Sequence, residues 1–207
     1  MKKTLLRLFQ LLVILSLFFA VGCKKEKDEM QEEVGVEING VIWATRNVDK
    51  PGTFAAKPED AGMFYQWNRK VGWSSTEPMI NSNGGTTWDS SNPEGNSWEK
   101  ANDPCPPGWR VPTYEEQISL IVSGSEWTAL NGVTGRYFGS GENLVFFPAA
   151  GDRYVVNGWC RGVGEVGIYW SGTSGMLAGT ILFDNETAHT CSGAHCYGFS
   201  VRCVKEE

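Results

Sequence analysis

The chain has 207 residues, a formal net charge of −6, 41% hydrophobic residues and 20% charged residues, a composition that buries a core and excludes a disordered polymer. An acidic protein without a basic cluster is also excluded as a partner of nucleic acid, whose phosphates must be neutralised. The length suits one domain or two small ones, and 25 glycines with 9 tryptophans point to a loop-rich, aromatic-cored β or α+β domain.

Lys2, Lys3 and Arg7 precede an apolar run from Leu8 to Val21 that only Gln10 and Ser16 interrupt. The run is too short for a comfortable membrane span and reads as the core of a signal peptide, residues 1–22. It ends in Ala20-Val21-Gly22-Cys23, which resembles a bacterial lipobox. That resemblance implies cleavage before Cys23, diacylglycerol on its thiol and an N-acyl chain, a covalent lipid anchor in the outer membrane. Removal of the signal leaves 15 basic against 24 acidic residues, a net charge of −9. Residues 23–36 are expected to be the lipidated cysteine and a solvated tether, because eight of the ten residues 24–33 are charged. Acidic residues this close to a lipidated cysteine resemble the surface-export signal of Bacteroidetes-type lipoproteins. The expected location is therefore the outer membrane, facing outward.

The domain is expected over 37–207. Residues 40–44 alternate as an edge or hairpin strand. Residues 59–70 carry Met63, Phe64 and Trp67 at helix-like spacing, which predicts a short helix or turn. The stretch from Trp73 to Trp98 is rich in Ser, Asn, Gly and Pro and reads as a long ordered loop pinned by Trp73, Trp88 and Trp98. Thr113 and Glu116 form a Thr-x-x-Glu capping box, opening a helix with Ile118, Leu120, Ile121 and Val122 as its buried face and Gly124 as its stop. Strand-like runs follow at 133–138, 144–150, 166–171, 179–183 and 197–204, with Trp170 expected in the core. One main helix followed by antiparallel strands and long ordered loops makes an α+β domain.

Five segments carry a family resemblance: Asn39-Gly40-Val41-Ile42-Trp43-Ala44-Thr45-Arg46-Asn47, Gly62-Met63-Phe64-Tyr65-Gln66-Trp67, Pro104-Cys105-Pro106-Pro107-Gly108-Trp109-Arg110-Val111-Pro112-Thr113, Tyr169-Trp170-Ser171 and Gly198-Phe199-Ser200-Val201-Arg202-Cys203-Val204. In this order they resemble the Fibrobacter succinogenes major paralogous domain of Bacteroidetes lipoproteins. The resemblance implies a C-type-lectin-like fold, related to that of the formylglycine-generating enzyme, and it implies a Cys105–Cys203 disulfide.

Besides Cys23 the chain has Cys105, Cys160, Cys191, Cys196 and Cys203, enough for two bridges with one thiol over. Cys191 and Cys196 are spaced for a local bridge that leaves Cys160 free, and pairing of Cys160 with either is the rival. His189, Cys191, His195 and Cys196 together offer four zinc ligands, although their spacing matches no standard zinc module.

No G-x-S-x-G, H-E-x-x-H, P-loop or dinucleotide fingerprint occurs, and Asp152, Glu165, Asp184 and Glu186 are the carboxylates from which a catalytic pair would have to come. The expectation is a binding module and not an enzyme, with no cofactor besides the lipid. In a C-type-lectin-like fold, loops and late strands build the ligand face. Here that maps to Trp159, Arg161, Ser171, Thr173, Ser174, Asp184, Asn185, Glu186, His189, His195 and Tyr197, facing an extracellular glycan or protein. Asp184, Asn185 and Glu186 also offer oxygens to calcium. Three alternatives accompany this reading. The first is a target of a diversity-generating retroelement with a diversified 185–197 stretch. The second is a structural subunit of a surface assembly. The third is an enzyme on the formylglycine-generating-enzyme-like fold.

Overall fold

The computed structural model describes residues 33–174 and 177–207. The signal peptide, Cys23 and residues 24–32 lie outside the described residues. The described part starts inside the stretch read as tether. The Glu33 carboxylate accepts hydrogen bonds from Thr45 N (2.5 Å), Thr45 Oγ1 (2.6 Å) and Arg46 Nε (2.7 Å).

The fold is α+β, with antiparallel sheets and a single α-helix among the described residues. A four-stranded sheet runs in the order β1 (Val36–Ile38), β2 (Val41–Trp43), β14 (Val204–Lys205), β5 (Trp109–Arg110), so both ends of the domain share one sheet. Asn39 and Gly40 close the first hairpin with φ of 52° and 80°, the left-handed pair that a two-residue turn demands. Two antiparallel meanders follow: β6 (Ser125–Leu130), β7 (Val133–Ser140) and β8 (Asn143–Pro148), then β11 (Gly167–Ser174), β12 (Ala178–Phe183) and β13 (Ala188–Gly193). Two short hairpins complete the domain, β3 (Met63–Tyr65) with β4 (Gly72–Ser74) and β9 (Asp152–Arg153) with β10 (Cys160–Arg161).

Helix α1 (Tyr114–Val122) has the expected capping box: Thr113 Oγ1 accepts from Glu116 N at 3.2 Å, and Thr113 N donates to Glu116 Oε2 at 2.7 Å. Its buried side differs from the expectation. Leu120 and Gln117 are buried, whereas Ile118 is 42% and Val122 73% exposed. At 100° per residue, 117, 120 and 121 share a stripe that 118 and 122 leave. Gln117 tolerates burial because its Nε2 donates to Tyr169 O at 3.1 Å.

Residues 63–65 are strand and not the helix or turn that their spacing suggested. All three are buried, and Tyr65 pairs with Gly72 on one side and Phe199 on the other. A buried three-residue strand has no polar face, so its spacing cannot distinguish it from a helix. Only Val204 of the 197–204 run lies in regular strand. The rest threads through the middle of the molecule as isolated bridges. Gly198 pairs with Arg153, Phe199 with Tyr65 and Ser200 with Tyr169, while Val201 O and Cys203 O accept from Val48 N (3.0 Å) and Ala44 N (2.9 Å).

This thread separates two aromatic clusters. One holds Tyr65, Trp67, Trp109, Trp170 and Phe199; the other holds Trp43, Phe138, Phe147, Tyr169 and Phe183. Arg202 crosses between them, fully buried, with its guanidinium 4.3 Å from the Phe147 ring and donating to Asn47 Oδ1 (2.9 Å) and Ala44 O (3.1 Å). Burial lowers its pKa to about 10. Cys105 and Cys203 are bonded, tying the approach to α1 to the central thread.

Candidate functional site

The β9–β10 hairpin pairs Arg153 with Cys160 and Asp152 with Arg161. Arg153 is fully buried beneath it, a position that a guanidinium tolerates only when its donors are met. Its Nε donates to Ser74 O (2.7 Å), Nη2 to Thr76 O (2.8 Å) and Ser74 Oγ (3.1 Å), and Nη1 to Glu77 Oε1 (3.2 Å) and to Gly158 O. One side chain thus fastens the 74–77 loop to the hairpin tip. Trp88, from the long loop, closes the other side by donating Nε1–H to Val155 O at 3.0 Å. Gly158 is required between them. Its φ is 71°, and a Cβ there would stand 2.6 Å from Met79 Sδ and 2.8 Å from the Trp88 ring.

On this braced tip Trp159 is 70% exposed; the other eight tryptophans are buried or half-buried. Val156 and Val163 are exposed beside it in sequence. Arg161 lies 4.2 Å over the Tyr154 ring and 5.7 Å from that of Tyr197, and it pairs with Asp152 at 2.6 Å. Tyr154 and Tyr197 meet edge-on at 6.0 Å, and Tyr197 stacks on Phe199 at 5.2 Å. Burial raises the Asp152 carboxyl, an effect that the Arg161 hydrogen bond only partly offsets. The result is an aromatic and cationic platform on a rigid support.

Of the residues expected at one face, the structure joins Arg161 with Tyr197 here, with Trp159 adjacent on the same hairpin. Ser171 is buried, and its carbonyl accepts from Trp67 Nε1 at 3.0 Å. Thr173 is exposed, and its Oγ1 accepts from Tyr114 N at 3.3 Å, next to the start of α1. His195 is buried, stacked 4.4 Å from Trp67. Its Nδ1 is 2.7 Å from Pro93 O, which only accepts, so Nδ1–H donates there, and Nε2 lies 2.7 Å from Ser174 Oγ. His195 therefore has a structural role.

Asp184, Asn185 and Glu186 form the β12–β13 turn, at the opposite end of that hairpin from the Ala178–Gly193 pair. Five residues of strand between those ends span about 17 Å, so 184–197 is not one face. Asp184 Oδ1 accepts from Glu186 N (2.8 Å) and Thr187 N (2.9 Å), and the Thr187 and Glu186 backbone bonds hold its carboxyl below the ordinary range. This oxygen serves the turn, as Asx chemistry dictates.

Cys160, Cys191 and Cys196 are unbridged, so the expected Cys191–Cys196 bond is not formed. Cys191 is exposed on β13, whereas Cys196 is buried in the following turn, its backbone held by Asn92 Oδ1 and Gln66 Nε2. His189 is exposed on β13, while His195 is committed to Pro93 and Ser174. Among the described residues no three His, Cys, Asp or Glu side chains are grouped to hold a metal ion, and no helix is long and apolar enough to cross a membrane. Sequence reasoning missed Arg153 and Tyr154, although they adjoin Asp152 in one short run.

No protein-family model, curated protein or solved structure matches the chain.

Proposed function

We propose that the protein is a surface-anchored outer-membrane lipoprotein whose C-type-lectin-like domain binds an extracellular glycan or protein through the β9–β10 platform. The anchor rests on the signal-like residues 1–22 and Cys23. The fold reading rests on the family motifs and agrees with the shared sheet of the two domain ends and the Cys105–Cys203 bond.

The observation that carries the binding role is the exposure of Trp159 on a tip braced by Arg153, Trp88 and Gly158. An indole left in water costs solvation, and a rigid support lowers the entropy lost when a ligand covers it. Arg161, Tyr154 and Tyr197 extend the surface with hydrogen-bonding and stacking groups. A glycan and protein array probed with the full chain in detergent, in parallel with Trp159→Ala, tests the proposal. A ligand bound by the parent and lost in the variant supports it. Equal binding by both refutes it.

A further inference from the structure

A second site lies away from the hairpin tip, where Trp127, Thr134, Gly164, Glu165 and Asn185 line an open cavity of about 440 Å³. That volume falls within the range of about 300–1,000 Å³ typical of small-molecule sites. Its walls are set by local structure. The 162–166 turn is closed by Glu165 N and Val166 N donating to Gly162 O, both at 3.0 Å, and is tied down by Gly164 N donating to Ala149 O at 2.8 Å. Asn185 is held in the Asp184 turn, and Trp127 packs edge-on to Phe183 at 6.5 Å.

The charge of the lining is one-sided. Glu165 presents a carboxylate, and Asn185 a carboxamide that can accept as well as donate. Thr134 spends its hydroxyl proton on Gly164 O at 2.8 Å and keeps acceptor lone pairs. Trp127 adds an aromatic face, which attracts cations. Asp184 and Glu186 flank Asn185 in the chain, adding negative charge. The nearby cation is Arg136, cross-strand from Trp127; it is buried, and its Nη atoms are committed to Ser125 Oγ (2.9 Å) and Asp184 O (2.9 Å). Glu165 is the one charged side chain of the lining, and together with the π face of Trp127 it favours a ligand that carries positive charge and N–H donors. We propose that this cavity binds a primary alkylammonium group, as carried by a lysine side chain or an amino sugar. The site is independent of the hairpin platform.

The test is titration of the full chain in detergent with Nα-acetyl-lysine amide, glucosamine, choline and the neutral methyl glucoside, followed by saturation-transfer NMR and calorimetry. Both primary amines are expected to saturate. Choline, whose quaternary nitrogen has no N–H to donate to Glu165, and the neutral glycoside are expected to bind about 10-fold more weakly or not at all. Glu165→Gln, at an exposed position that leaves the fold unchanged, is expected to weaken amine binding about 10-fold. Saturation by only one primary amine assigns the site to that source. Failure of both primary amines, equal binding of choline or the glycoside, or an unaltered Glu165→Gln affinity would overturn the proposal.

Discussion

Arg153 and Ser74 are joined twice, through Nε to the Ser74 carbonyl at 2.7 Å and through Nη2 to its hydroxyl at 3.1 Å, although 79 positions separate them. The guanidinium is fully buried, so its removal leaves the buried Gly158 carbonyl and the part-buried carbonyls of Ser74 and Thr76 without their donor. Arg153→Met should lower stability by about 1–3 kcal/mol in urea unfolding, the cost of an unsatisfied buried acceptor. A loss below about 1 kcal/mol would show that the 74–77 loop and the hairpin tip do not depend on it.

The Cys105–Cys203 bond closes a separation of 98 residues. In the loop-entropy account such a bond contributes about 4–5 kcal/mol, and the Cys105→Ser/Cys203→Ser protein should lose roughly that much in chemical denaturation. Cys191, exposed and unbridged, should react with a maleimide in the native protein, while Cys196 should react only after unfolding. Equal protection of the two would indicate a bond between them.

Acid should destabilise the domain through its capping box. Burial alone would raise the Glu116 carboxyl, but hydrogen bonds from Arg110 and Thr113 prevail and hold it below the ordinary 4.5. The folded state therefore binds this proton less readily than the unfolded chain. Its contribution is complete above 4.5 and is lost as pH falls through the depressed folded value. Glu33 is also depressed, burial being outweighed by bonds from Thr45 and Arg46. Melting temperature should fall from about pH 6 to about pH 3. Glu116→Gln should be about 1 kcal/mol less stable at neutral pH, with a shallower acid slope. An unchanged slope would remove Glu116 from the account.

The legible parts of this fold were those encoded locally. Thr113 and Glu116 announce α1 within four residues, and the 133–138, 144–150 and 179–183 runs alternate or stay apolar long enough to be strands. Residues 63–65 and 198–203 are not legible locally because much of their pairing is to distant segments, Tyr65 with Phe199, Val48 with Val201 and Ala44 with Cys203. Strand β13 was hidden because it is polar and carries the histidine and cysteines that suggested a loop. The site was half legible. Exposure of Trp159 cannot be read from sequence when eight other tryptophans pack, and the burial of His195 depends on Trp67 and Pro93, far away in the chain.

The buried polar network makes a further demand. Asn47 donates to Ala61 O (3.0 Å) and Tyr169 OH (3.2 Å) and accepts from Arg202 Nε (2.9 Å). Asn47→Ala should cost about 2–3 kcal/mol in thermal or chemical unfolding, since it removes the acceptor of Arg202 Nε and the donor to Ala61 O and Tyr169 OH. A neutral outcome would mean that Arg202 finds another acceptor.

The central claim is that the exposed indole of Trp159 is a ligand anchor, and the most direct measurement is affinity for an array-identified ligand before and after Trp159→Ala. The account predicts a loss of about 2 kcal/mol, roughly 30-fold, with stability unchanged to within about 0.5 kcal/mol. Unaltered affinity in a fully folded Trp159→Ala protein would contradict it.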